Sequence, residues 1–174
     1  ITDSGKVGIG LQNPSELLQV NGKIKTQFVK FDDGSSIGDS IAFHAHLTSS
    51  ASIAANTSAK LVFDSTVFNT SNVFDTSSGE FTAPETGLYS FSAQVHFDAG
   101  ASGSSMKLEL RKTNLQGGSD SLSVTRVNIS NNAAHSIQIG GFLSLLDFGE
   151  KVWLGISHTS SDSINVQNSL DQTY

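Results

Sequence analysis

The stretch that decides the fold runs from Phe63 to Phe91 and reads FDSTVFNTSNVFDTSSGEFTAPETGLYSF. Its aromatic rings at positions 63, 74, 81, 89 and 91 have the size and spacing to fill the space between two β-sheets. Burying each ring fully is worth about 1.5–3 kcal/mol. Pro84 has a fixed φ and no backbone N–H, so we expect it where the sheet needs no hydrogen-bond donor. We expect Gly87 where a Cβ would clash or where φ is positive. These residues therefore specify a fold and carry no chemistry of their own.

Alternation of apolar and polar side chains continues on the C-terminal side of this stretch. Every second residue from Tyr89 to Phe97 is apolar, which predicts a strand with one buried face over Gly87 to Phe97. Similar runs follow at 106–111, 122–129, 137–145 and 152–156, with a phase slip that predicts a bulge near Thr125–Arg126. Helical periodicity is scarce. The spacing predicts an all-β chain, either an antiparallel sandwich or a barrel.

The first 40 residues follow a different pattern, with short glycine-rich runs and few apolar side chains. Asn13–Glu16 predicts a one-turn helix start, and Asn21-Gly22 predicts a type I′ hairpin between 17–20 and 23–31. Residues 32–39 are typical of a linker. Such a segment cannot build its own core, so partner chains would have to bury its faces. We therefore divide the chain into a stalk, residues 1–40, and a head, residues 41–174.

Composition and charge exclude several classes of function. The 174 residues carry 10 Lys and Arg against 16 Asp and Glu, without a basic cluster, so neither nucleic-acid binding nor anionic-membrane binding is expected. No apolar run approaches the roughly 18 residues of a membrane span. The absence of Cys excludes a disulfide scaffold, a thiol nucleophile and a Cys-based zinc site. The surface is instead rich in hydroxyl and amide groups.

The spacing of residues 63–91 resembles the signature of the complement C1q globular-head family, which shares its jelly roll with the tumour necrosis factor family. The matching positions are Gly79, Phe81, Thr82, Ala83, Pro84, Gly87, Tyr89 and Phe91. The pattern departs at Ala93, where the family has an aromatic residue. The resemblance implies a trimeric, antiparallel jelly-roll β-sandwich over 41–174. The family's final core strand should begin near Tyr174, so we expect that strand to be missing or to lie beyond the chain end.

The N-terminal stretch from Gly5 to Ile24 resembles a repeat common in phage tail-fibre proteins and in secreted or surface proteins of bacteria. This repeat often precedes a terminal receptor-binding or chaperone domain. Together the resemblances imply a non-enzymatic trimeric attachment module on a virion surface, the receptor-binding head of a phage tail fibre, or on a similar bacterial surface fibre. The implied partners are further copies of the chain, a host cell-surface glycan or protein, and neighbouring fibre or tail proteins.

Three alternatives stay open. The head could be a structural fibre-capping or decoration domain that trimerises its neighbours without binding a receptor. It could also belong to a secreted bacterial C1q-like adhesin. A carbohydrate-active enzyme would need two carboxylates about 5–9 Å apart in a cleft, and no motif supports one.

Two histidines and a group of aspartates are candidate metal ligands. His44 and His46 lie two residues apart, so on a strand their rings would share one face and could bind a metal with a third ligand. No carboxylate or Cys lies at ligand spacing beside them, and a polar strand at a subunit contact is the alternative. The C1q family sometimes carries calcium near its threefold apex, but the aspartates of the 32–39 segment match no such loop. No cofactor is expected.

Receptor contact is expected on the loops that core patterning constrains least, at 98–105, 114–121 and 130–135. Glycine, serine and asparagine in these loops tolerate varied backbone shapes and offer hydrogen bonds to sugars or peptides. The candidate contact residues are Asn114, Gly117, Gly118, Asp120, Asn131 and Asn132. Trp153 faces opposite to Val152 and Leu154, and it either packs between subunits or offers a stacking platform for a sugar.

Overall fold

β-strands form nearly all of the regular structure, as the alternation of apolar side chains predicts. The computed structural model describes residues 5–24, 28–30, 36–38, 41–98, 104–129 and 133–168. The chain divides into two compact units, Ile1–Ser40 and Ile41–Tyr174.

The N-terminal unit contains two pairs of short strands. They are β1 (Val7–Ile9), β2 (Leu18–Val20), β3 (Phe28–Lys30) and β4 (Ser36–Gly38). β1 pairs with β2 in parallel, and β3 pairs with β4 in antiparallel fashion. The predicted hairpin at Asn21-Gly22 is therefore wrong. β2 pairs with β1, the strand that precedes it in the chain, and the Asn21 amide donates to the Ile9 carbonyl.

The predicted helix start at Asn13–Glu16 is also wrong. Residues 15–17 form bends that lead directly into β2. The Ser15 amide and hydroxyl both donate to Oε1 of Gln19, at 2.8 and 3.2 Å, so the Gln19 side chain takes the amide that an Asn13 cap would have bonded. Of the segment 32–39, only residues 36–38 belong to the described residues.

The larger unit contains the remaining strands. In chain order they are β5 (Phe43–His46), β6 (Ala51–Ile53), β7 (Ser58–Leu61), β8 (Ser65–Asn69), β9 (Phe74–Asp75), β10 (Glu80–Thr82), β11 (Gly87–Phe97), β12 (Ser105–Thr113), β13 (Ser119–Asn128), β14 (His135–Leu146), β15 (Lys151–His158) and β16 (Ile164–Val166). A single 3-10 turn, Thr70–Asn72, lies between β8 and β9. Two sheets form the layers of a sandwich, which confirms the predicted antiparallel jelly-roll class.

The first sheet has the order β13-β12-β15-β10-β9, with β7 pairing β15 beyond the end of β10. The second has the order β14-β11-β16-β6, and β5 and β8 form a separate antiparallel pair. The position between β11 and β6 is filled by β16, through the pairs Phe97 with Val166 and Ile164 with Ile53. This short strand comes from the last described stretch of the chain.

The core lies between the two sheets and uses the rings of the 63–91 stretch. Phe81 in β10 meets Phe91 in β11 edge to face, with 5.3 Å between ring centroids and 72° between ring planes. Phe43 stacks on Phe74 and Phe81 at 4.8 and 5.5 Å. Tyr89 is half-buried and tilts against Phe81 at 5.2 Å. The rings therefore join the two sheets, because Phe81 and Phe91 belong to different ones.

The strand predicted over Gly87 to Phe97 is confirmed with its bounds and its buried face. The bulge predicted near Thr125–Arg126 is misplaced. The β12–β13 register shifts between the pairs Leu110 with Ser123 and Arg111 with Ser121, which leaves Leu122 unpaired. As a result Val124 points away from the core and is 40% exposed.

The loops of the sandwich divide between its two ends. The connections 83–86, 114–118 and 147–150 lie at the end where Gly87 pairs with Leu146 and Thr113 with Lys151. Residues 41–43 also lie there, since Phe43 stacks on Phe81 beside this end, and we call it the N-terminal end. β11 ends, β12 begins and β15 ends at the opposite end.

Candidate functional site

Four of the six predicted receptor-contact residues lie among the described residues. Asn114, Gly117 and Gly118 form a turn at the N-terminal end of the sandwich, and Asp120 lies in β13, paired with Lys112. Asn131 and Asn132 lie outside the described residues. Contact by these six residues stays a prediction.

Asn114 has a local structural role. Its Oδ1 accepts hydrogen bonds from the amides of Gln116 and Gly118, at 3.1 and 2.8 Å. A Cβ on Gly118 would lie 2.8 Å from Nδ2 of the Asn114 side chain, so a larger residue there would force that side chain to shift. The side chain that the sequence suggests for binding therefore shapes the loop itself.

His44 and His46 lie on β5 and are half-buried. The His44 ring meets Phe68 of β8 edge-on at 6.0 Å. The nearby Asp64 carboxylate accepts hydrogen bonds from Thr48, which lower its pKa, and His46 adds a smaller electrostatic contribution. Across the part of the chain that the structure describes, no three His, Asp or Glu side chains converge as a metal site. A metal at the two histidines stays a prediction.

An apolar patch covers the outer face of the β11–β14 pair. Leu88 lies opposite Leu145, and Leu143 follows on the same strand as Leu145. These three side chains are 67, 66 and 60% exposed, an unusual state for neighbouring leucines on one sheet face. We define the patch as Leu88, Leu143 and Leu145.

Trp153 lies on the other sheet, where it is surrounded by charge. Lys60 Nζ lies 5.1 Å and Arg111 Cζ lies 5.3 Å from the centre of its ring. The indole Nε1 donates to Thr113 Oγ1 at 3.0 Å. A cleft of about 190 Å³ opens beside the ring. Its lining includes Ser58, Ala59, Lys60, Lys107, Glu109, Arg111, Trp153, Gly155, Ile156 and Ser157.

Two largely buried carboxylates on this face are paired with lysines. Glu80 accepts from Lys60 and Lys151, at 2.5 and 2.8 Å, and Glu109 pairs with Lys107 at 2.8 Å. Burial disfavours the charge on Glu80, but the bonds from Lys151 and Lys60 outweigh it and hold its pKa below the ordinary value. The bond from Lys107 is the main reason that the pKa of Glu109 is lowered.

Sequence reasoning missed this cluster because its members come from four strands. The alternation of β12 places Lys107, Glu109 and Arg111 on one face, but it leaves open which neighbours they meet. The pairs of β15 with β7, β10 and β12 bring Lys60, Glu80 and Arg111 around Trp153. Non-local strand pairing was the missing information.

The arrangement defines a class of protein before any relative is considered, namely an antiparallel jelly-roll sandwich with an apolar outer face. Residues 42–174 match the C1q domain family, and the chain belongs to that family. No curated protein sequence matches the chain. In the described residues no helix has the length and apolar character to cross a membrane.

Solved structures show the same fold at low sequence identity. The tumour necrosis factor Eiger from S. frugiperda is 12% identical, with a TM-score of 0.57 over 75% of this chain and 85% of that one. Murine APRIL at pH 5.0 is 14% identical, with a TM-score of 0.58 over 75% of this chain and 92% of that one. C1q and TNF domains are non-enzymatic, usually form homotrimers and generally belong to extracellular or secreted proteins. This confirms the expectation of a non-enzymatic domain.

Proposed function

We propose that the chain is a homotrimeric attachment module, with residues 1–40 as a stalk and residues 41–174 as the binding head. The patch of Leu88, Leu143 and Leu145 is the observation that carries the proposal. Neighbouring leucines exposed on a sheet face are costly in water, and contact with identical subunits would cover them. The usual trimeric state of C1q domains supports the same reading.

The proposed setting is the distal end of a fibre on a phage tail or a bacterial surface. The N-terminal repeat supports it, because similar repeats often precede terminal receptor-binding domains. Three copies of a weak site can raise avidity by about 10²–10⁴ without any new contact. A host cell-surface glycan or protein is the proposed target. A secreted bacterial adhesin would use the same head without a virion.

Binding of the labelled, purified protein to a glycan array and to bacterial cells tests this function. We expect saturable attachment that weakens when Gly117-Gly118-Ser119-Asp120 or, separately, Asn131-Asn132 is replaced by alanine. Circular dichroism and solution mass check that each variant keeps the wild-type fold and assembly. A trimer without any attachment would favour the fibre-capping function instead, and release of soluble fragments from a polysaccharide would favour an enzyme.

A further inference from the structure

One face of the first sheet carries a local excess of positive charge on an acidic chain. The cations Lys60, Lys107, Arg111, Arg126 and Lys151 share this face with the acids Asp75, Glu80 and Glu109. Five positive charges against three negative ones leave a net charge of +2, whereas the whole chain has a net charge of −6. Half of the chain's ten Lys and Arg residues thus lie on the face that carries Trp153.

The cations are more exposed than the carboxylates to which they are paired. The side chains of Lys60, Lys107 and Arg111 are 30, 30 and 32% exposed, against 15% for Glu80 and 10% for Glu109. An approaching ligand therefore meets ammonium and guanidinium donors first and the carboxylates beneath them. The low pKa values of Glu80 and Glu109 keep both acids ionised as hydrogen-bond acceptors.

Gly155 leaves open the space between these groups. It lies between Lys60 on β7 and Glu109 on β12. A Cβ at this position would lie 3.3 Å from Trp153 Cζ3, 3.6 Å from the Glu109 carbonyl and 3.7 Å from Arg111 Cδ. Its φ is not in the left-handed region, so backbone conformation does not require glycine here. The small residue instead keeps the bottom of the cleft open beside the indole.

We propose that this cleft binds one acidic sugar residue, whose carboxylate is held by Lys60, Lys107 and Arg111. The hydroxyls of the same sugar would bond to Ser58, Ser157 and Glu109. A ligand with one anionic group and several hydroxyls matches a lining of cations, hydroxyls and a carboxylate better than a purely anionic ligand does. The cleft is smaller than the roughly 300–1,000 Å³ of drug-sized pockets, which suits a single ring.

The inference rests on the proposed function only in that the head is a binding module. Leu88, Leu143 and Leu145 lie on the second sheet, so covering them would leave the cleft open in every subunit. The site would thus be available whether the receptor loops bind a target or not.

Trp153 is the only tryptophan of the chain, so its fluorescence reports directly on the cleft. The test is a titration of the full chain with glucuronate, with glucose and inorganic phosphate as comparison ligands at equal ionic strength. We expect a saturable fluorescence change with glucuronate, none with glucose and weaker binding of phosphate. No saturable change with glucuronate, or equal binding of phosphate, would overturn the proposal.

Two variants separate a shaped site from general charge attraction. Gly155→Ala keeps every charge and narrows the cleft, and Lys107→Gln removes one donor; each should weaken glucuronate binding about tenfold. Lys23→Gln, a matched charge change in the N-terminal unit, should bind as the wild type does. Unfolding curves check that the fold is retained. Wild-type affinity in Gly155→Ala would refute the cleft, while attachment of the protein to cells would still stand as a separate result.

Discussion

The ring of Phe81 contacts the ring of Phe91 across the two sheets, with 5.3 Å between centroids and 72° between planes. Phe81 is 2% exposed and Phe91 is 8% exposed. Phe81 lies on β10 of the first sheet, and Phe91 lies on β11 of the second. The edge-to-face contact adds about 0.5–1.5 kcal/mol to the free energy gained by burying both rings. The family signature thus corresponds to the physical link between the layers.

Removal of either ring should destabilise the fold strongly. Phe81→Ala and Phe91→Ala should each lower the free energy of unfolding by about 3–5 kcal/mol, because each leaves a cavity in the core. Tyr89→Ala should cost less, since Tyr89 is only half-buried and its hydroxyl hydrogen bonds near the surface to Glu85. Urea denaturation at a fixed protein concentration measures these changes. Asn128→Ala, at an exposed position in β13 of the other sheet, serves as the control and should change little.

Both amide atoms of the Asn69 side chain should contribute to the stability of the fold. Its Oδ1 accepts from the Phe74 amide at 3.0 Å, and its Nδ2 donates to the Phe74 carbonyl at 2.8 Å. Asn69→Asp keeps the acceptor and loses the donor, so it should cost about 1–3 kcal/mol of unfolding free energy. The same denaturation experiment on Asn128→Asp, an exposed position in β13, gives the baseline. Equal stability of the two variants would contradict this role of Asn69.

Gly79 should tolerate alanine less well than Gly117 does. Both have a positive φ, +68° and +82°, so alanine at either costs about 1–2 kcal/mol. At Gly79 the added Cβ would also lie 2.8 Å from the backbone Cα of Val62, whereas nothing lies within 4 Å at Gly117. The difference between the two unfolding free energies isolates the steric clash. Equal losses would show that the backbone at Val62 yields.

Acid should destabilise the protein through its paired glutamates. The pKa values of Glu80, Glu109 and Glu150 are lower in the folded chain than the ordinary 4.5. The unfolded state therefore binds more protons, and the stabilisation present above pH 4.5 is lost as the pH falls through the folded-state values. Chemical denaturation from about pH 7, where these groups are ionised in both states, down to about pH 3, below their unfolded-state pKa, should show this loss. Glu109→Gln should flatten the profile, and Glu16→Gln, an exposed control, should not.

The sequence predicted those features that depend on local pattern. The bounds and buried face of β11 follow from alternation alone, and the C1q resemblance follows from ring spacing. The bulge at Leu122 was misplaced because Val124, an apolar residue, faces outward. Gly87 was expected to be crowded, yet its ordinary φ and a nearest contact of 3.7 Å place the steric constraint at Gly79 instead.

Features that depend on long-range pairing could not be predicted. Asn21-Gly22 has strong hairpin chemistry, but the parallel pairing of β1 with β2 overrides it. The charges around Trp153 come together only because β15 pairs with β7, β10 and β12. Local propensity carries no information about such partners, and register decides which side chains meet.

Sedimentation equilibrium at micromolar concentration tests the central claim, that three copies assemble through the patch of Leu88, Leu143 and Leu145. The account predicts a wild-type particle of three times the 18.3 kDa chain mass. It also predicts that Leu145→Asp dissociates to single chains, because a buried unpaired carboxylate would oppose assembly. Val124→Asp, an exposed apolar position on the other sheet, should remain trimeric. A wild-type mass of 18.3 kDa, or a folded Leu145→Asp variant that stays trimeric, would contradict the account.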